Sequence, residues 1–136
     1  MDDRVSVIDA QPLVAFIRGE TGWERIGRTI KEALSGTRTL RLTAVNAGEV
    51  TYAVERHLGA VSGHRALVAV QAWTEIVPVD LELATRAGWL KLRGAISYAD
   101  CFAAALAHRD GIPLITGDLE FARVEDLIRI EWLAQN

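Results

Sequence analysis

Short apolar runs separated by longer segments of helical period constrain this chain more than any other feature. Residues 5–8, 39–42, 75–79, 114–116 and 129–132 read as strands. Between them lie segments that read as helices. Residues 11–17 carry Pro12 in their first turn and Gly19 at their end, and residues 23–34 stop near Gly36. Thr43 stands as the N-cap of 44–58, which closes near Gly59, and a further helical stretch runs over 63–73. Asp80 caps a helix to about residue 92, Gly94 separates it from the helix 98–110, Gly111 supplies the stop, and 119–124 is a short helical turn. Parallel strands need crossovers of a dozen or more residues, and the helix pairs between the first strands are long enough to supply them. The pattern predicts an α/β domain with a mainly parallel central sheet.

A chain of 136 residues is most simply one domain spanning 1–136, able to bury roughly two thirds of its unfolded surface. No internal repeat or Pro/Ser-rich linker divides it. No run approaches the ~18 apolar residues of a membrane span, and the N-terminus lacks a signal-peptide pattern, so a soluble, cytoplasmic protein is expected. Cys101 is the only cysteine, which excludes an intramolecular disulfide and a cysteine-based zinc site. The net charge of -3 provides no overall positive field for nucleic acid. Only Lys31 and Lys91 among the 15 basic residues are lysines. Arginine favours bidentate phosphate contacts, but such an excess equally reflects coding bias.

Four acidic residues stand where strands or helices meet the expected sheet rim: Asp9, Glu49, Asp100 and Asp118. In open α/β sheets, ligands bind outside the carboxyl ends of the strands. Each acid also has an ordinary reading. Asp9 fits an N-cap; Asp100 closes a capping box with Ser97; Asp118 fits a turn after Gly117; Glu49 fits an exposed helix position. Asn46 shares the face of Glu49 three residues earlier, and the small-residue helix 101–107 would hold the first-turn Asp100 against the strand ends. If the four converge, their repulsion must be relieved. Two like charges ~4 Å apart at an effective dielectric of ~20 cost about 4 kcal/mol, which a divalent cation offsets.

Oxygen-only ligands suit Mg²⁺ or Mn²⁺. His57, His64 and His108 share no metal-ligand spacing and read as surface or helix-end residues. No Ser-His-Asp or Cys-His arrangement and no glycine-rich phosphate loop is legible, and Cys101 reads as a small buried helix residue. Trp23, Trp73, Trp89 and Trp132 read as core or partly buried positions, with an apolar dimer surface also open to them.

With these residues in view, the chain resembles the PIN-domain family, and within it the small VapC-type toxin ribonucleases. The resemblance rests on Val7-Ile8-Asp9 leading to Leu13-Val14-Ala15, on Asn46-Ala47-Gly48-Glu49 followed by Tyr52, and on Tyr98-Ala99-Asp100. Its most specific part is Leu114-Ile115-Thr116-Gly117-Asp118-Leu119-Glu120-Phe121. It covers nearly the whole chain. It implies a three-layer α/β/α domain, a homodimer, and an acidic pocket binding Mg²⁺ or Mn²⁺. Asp9, Glu49, Asp100 and Asp118 match the family's acidic cluster, with Asp9 and Asp100 as direct ligands; Asn46 and Thr116 match neighbouring polar positions. Ala10-Gln11 departs from the small hydroxyl or amide residue common after the first acid.

The activity implied is metal-dependent hydrolysis of a phosphodiester in RNA, with tRNA or rRNA as substrate. Asp118 would ligate directly or through water, Glu49 would orient or deprotonate the attacking water, and Thr116 would fix a carboxylate or a water. A cognate antitoxin would block the pocket with a basic side chain. The alternative is a non-catalytic PIN-like module that binds RNA or protein. Two other acidic α/β classes fit poorly. A haloacid-dehalogenase-like phosphatase wants Asp where Gln11 stands, and a phosphoacceptor receiver wants a lysine downstream of Lys91.

Overall fold

The computed structural model describes residues 4–20 and 22–133. Its elements run β1 (Val5–Ile8), α1 (Ala10–Ile17), α2 (Trp23–Ser35), β2 (Thr39–Thr43), α3 (Ala44–Leu58), α4 (Ala60–Trp73) and β3 (Glu75–Val77). They continue with α5 (Leu81–Gly94), α6 (Tyr98–Asp110), β4 (Leu114–Thr116), a 3-10 helix (Leu119–Val124) and β5 (Ile130–Trp132). The sheet has the order β3-β2-β1-β4-β5, and every neighbouring pair is parallel. The chain therefore moves outward from β1 to β3 on one side, then returns to the other side of β1 for β4 and β5. That reversal puts the topological switch point between β1 and β4, where a parallel sheet opens a crevice at its carboxyl edge.

Alternation along the central strands fills both faces. Val7 and Leu114 enter the core shared with α5, α6 and the 3-10 helix, whereas Ile8 and Ile115 enter the core built with α1 to α4. The result is the three-layer α/β/α arrangement expected from the sequence. Helix α6 fixes the site most directly. Its residues Cys101 to Ala107 are all buried, and its alanines allow close approach to β1, β2 and β4. Arg41 on β2 pairs with Asp110 at 3.0 Å and anchors the far end of that helix. Ser97 caps the near end, accepting from the Asp100 amide at 3.1 Å.

Several boundaries depart from the sequence expectation, each for a local reason. Helix α1 starts at Ala10 rather than Gln11, immediately after its cap Asp9. Helix α4 starts at Ala60 rather than Gly63, because Gly59, at φ 92°, makes the whole turn between α3 and α4. Strand β3 ends at Val77, where Pro78 follows and lacks a ladder donor. Gly94 does not separate α5 from α6; it is the last residue of α5, and Ala95 takes the left-handed turn at φ 54°. Close packing explains this, since a Cβ on Gly94 would stand 2.5 Å from Cγ1 of Val124. Trp73 meets Phe16 edge-on with ring centroids 5.5 Å apart. Trp132 is partly buried, Trp89 is 38% exposed, and the side chain of Trp23 lies outside the described residues.

Candidate metal centre

Strand ends and helix starts bring the acids to the switch point. Asp9 directly follows β1, Asp118 lies two residues beyond β4, Asp100 sits in the first turn of α6, and Glu49 projects from the start of α3. Asp9, Asp100 and Asp118 each offer a carboxylate oxygen within 4.8 Å of the others. Glu49 joins them on the wall of one open cavity of about 350 Å³, with Gln11, Glu20, Tyr52 and Ser97. Among the described residues, none that lines it is basic. His57 and His64 are exposed, and His108 stacks on Trp89 and meets Arg86 elsewhere. The thiol of Cys101 is buried, and burial pushes its pKa up, which suits a core position and not a nucleophile.

Hydrogen bonds hold the carboxylates in place. Thr116 Oγ1 donates to Asp9 Oδ2 at 2.9 Å and accepts from the Asp118 amide at 3.0 Å, so one hydroxyl ties the ends of β1 and β4 together. Asp9 Oδ1 accepts from the Ala10 amide at 2.9 Å. Asn46, fully buried, donates to Glu49 Oε1 at 2.7 Å and to the Ala99 carbonyl at 3.1 Å. Its own amide is capped by Thr43 at 3.1 Å. This single amide group therefore connects α3 to the start of α6. Two of the ordinary readings hold at the same time: Asp9 caps α1, and Asp118 accepts from the Glu120 amide at 3.0 Å, whereas Glu49 is half-buried and not an exposed helix residue.

Electrostatics make the grouping costly. Asp9 is 1% exposed. Burial, then the charge of Asp100, pushes its pKa up to about 8; Thr116 works against the shift, and Glu49 adds to it. Asp100 is raised to about 6, first by burial, with the Ser97 hydroxyl opposing and Glu49, Asp118 and Glu120 adding. Burial also raises Glu49, against the Asn46 hydrogen bond. An all-oxygen donor set under mutual repulsion, with no basic side chain among the described residues of the cavity wall, fits a hard divalent cation.

The family model described as PIN domain matches residues 6–127. The chain belongs to the PIN domain family. No curated protein matches it in sequence. Among solved structures, the PIN fold here is similar to a DNA-bound VapBC from Salmonella typhimurium, at 20% identity, with a TM-score of 0.76 and coverage of 96% of this chain and 98% of that one. It is similar to VapBC2 from Rickettsia felis bound to a DNA fragment from their promoter, at 18% identity, TM-score 0.73, covering 96% and 99%. A third likeness is to VapC20 of Mycobacterium tuberculosis, a sarcin-ricin loop cleaving toxin, at 17% identity, TM-score 0.67, covering 87% and 94%.

The acidic cluster of this PIN domain also has neighbours that sequence reasoning gave no part in it. Gln11 Oε1 accepts from the Gly117 amide at 3.2 Å and tethers the turn carrying Asp118. The departure at Ala10-Gln11 thus supplies a tether of its own. Glu20 lines the cavity and pairs with Arg18 at 3.4 Å. Glu120 acts on Asp100 through its charge. Of these, only Glu120 had a sequence signal, its place two residues after Asp118.

Proposed function

We propose that this chain is a metal-dependent endoribonuclease folded as a single PIN domain over residues 1–136, and the toxin of a toxin–antitoxin pair. The observation that carries the reading is the approach of Asp9, Asp100 and Asp118 to within 4.8 Å at the sheet's switch point, in a chain whose family and fold neighbours are PIN and VapBC proteins. Asp9 and Asp100 would hold the cation, Mg²⁺ or Mn²⁺ by its donor chemistry, and Asp118 would ligate it directly or through water. When bound, such a cation polarises a phosphoryl oxygen and lowers the pKa of a coordinated water.

The chain's own groups do the rest. Thr116 sets the rotamer of Asp9 and fixes the Asp118 backbone, so the two strand-end ligands keep a constant separation. Glu49, held by Asn46 and raised by burial, takes the proton from the attacking water nearer to neutral pH than an exposed glutamate would. The substrate is RNA, with tRNA or rRNA loops as its class; VapC20, named for cleaving the sarcin-ricin loop, supports this. The VapBC neighbours support a cognate antitoxin, which would close the acidic pocket with a basic side chain. We further assign the chain to the cytoplasm and to a homodimer. Among the described residues, no helix is long and apolar enough to cross a membrane.

RNA-end sequencing after brief expression tests the reading. Wild type should produce discrete new ends, and Asp9→Asn should produce none. New ends that persist unchanged in Asp9→Asn, or none in either, would leave a binding-only PIN module as the better reading.

A further inference from the structure

One aromatic residue lines two cavities of different character. Tyr52, 58% exposed, lines the acidic cavity on one side. It also lines a mostly apolar groove of about 430 Å³ with Ala47, Gly48 and Glu55 of α3, Leu67 and Gln71 of α4, and Ile76 of β3, in which Glu55 is the one charged residue among those described. That volume lies within the roughly 300–1,000 Å³ of small-ligand pockets. An acidic cavity that a cation would make receptive to phosphate, sharing one tyrosine with a mostly apolar slot, matches the two halves of a nucleotide: an anionic phosphodiester and a flat aromatic base.

Gly48 keeps the slot open. It is exposed in the interior of α3, and a Cβ there would meet no heavy atom within 4 Å. Neither close packing nor a positive φ requires glycine at this position, and glycine in a helix interior is unfavourable relative to alanine. Without a side chain, Gly48 leaves its stretch of the groove wall clear. Gln71, at the groove wall, carries both a donor and an acceptor for a base edge.

We propose that the groove is a base-binding subsite, in which the base next to the scissile phosphate stacks on Tyr52 and meets Gln71. This rests on the ribonuclease reading above. Aromatic stacking tolerates any base, so Tyr52 supplies grip and Gln71 supplies preference.

The test uses an oligoribonucleotide spanning a cleavage site mapped with the wild-type protein, and the same oligonucleotide with an abasic ribose at each flanking position in turn. Wild type should lose about tenfold in kcat/KM at one flanking position when its base is removed, the scale of one stacking contact. Tyr52→Ala should lose about tenfold on the intact RNA and nothing further on the abasic one, while Tyr52→Phe, which keeps a ring to stack on, should lose activity on the abasic RNA as wild type does. Gly48→Leu should behave as Tyr52→Ala does, and Gly48→Ala should melt higher than wild type. Equal losses for wild type and Tyr52→Ala at every abasic position would overturn the subsite. So would Gly48→Leu cutting normally while failing to dimerise or to hold its antitoxin, which would assign the groove to a protein partner. No cleavage by wild type of any RNA tested would instead overturn the ribonuclease reading, and the subsite with it.

Discussion

Neutralising Asp9 should stabilise the metal-free protein while removing its response to metal. Asp9 is fully buried, and its pKa stands at about 8 against an ordinary 3.8. At pH 7 the unfolded chain carries it ionised and the folded chain carries it mostly protonated. Over the ~3 pH units from 3.8 to 7, at ~1.4 kcal/mol per unit, burying this group costs about 4 kcal/mol. Asn at this position has no such cost. It has one carboxamide oxygen where Asp9 uses two, for Ala10 and Thr116, and one lost hydrogen bond costs about 1 kcal/mol. The net gain is about 3 kcal/mol, or roughly 10 °C in Tm for a domain of this size. Thermal melts of wild type and Asp9→Asn with EDTA and with excess Mn²⁺ check this. Mn²⁺ at a hundredfold over Kd should stabilise wild type by about 2.7 kcal/mol and leave Asp9→Asn unmoved. An Asp9→Asn protein that melts below wild type in EDTA would refute the reasoning, because the buried carboxylate would then be supporting the fold.

The remaining predictions concern pH, the hydroxyl bridge and the α5–α6 turn. Asp9 and Asp100 have folded pKa values raised to about 8 and about 6. Their stabilisation is fully present below about pH 4 and is lost as pH rises through 6 and then 8, so metal-free protein should unfold more readily in denaturant at pH 8 than at pH 5, with Mn²⁺ reversing the trend. A metal-free stability that rises between pH 5 and 8 would count against the buried acid cluster. Thr116→Val removes the donor to Asp9 and the acceptor for the Asp118 amide. It should cost about 1–3 kcal/mol in chemical denaturation and weaken Mn²⁺ binding about tenfold or more by calorimetry. Ala95→Gly should stabilise by about 1 kcal/mol, because Ala95 alone among described non-glycine residues has positive φ, at 54°. A lower denaturation midpoint for this variant would mean that the Ala95 methyl has a packing role.

The sequence made legible what depends on local order. Strand-end position marks Asp9 and Asp118, first-turn position marks Asp100, and spacing of three residues pairs Asn46 with Glu49. These signals work because a strand terminus or helix start fixes where its next side chain stands. The parallel sheet was legible for the same reason, from crossover length between apolar runs. What stayed hidden depends on long-range approach. Gln11 reaches the Gly117 amide across 106 residues of chain, and no local pattern announces such a tether. The exchange of roles between Gly94 and Ala95 is set by contact with Val124, which overrides the usual preference for glycine at the left-handed position. The groove beside Tyr52 needs three elements, α3, α4 and β3, before it exists at all.

Cleavage of RNA by purified protein, with Mn²⁺ or with EDTA, in wild type and in Asp100→Asn tests the central claim most directly. Wild type with Mn²⁺ should cut at discrete sites, while EDTA or Asp100→Asn should abolish cutting without loss of the folded state. Cutting that continues at the wild-type rate in EDTA, or in Asp100→Asn, would contradict a metal-dependent site built from these carboxylates.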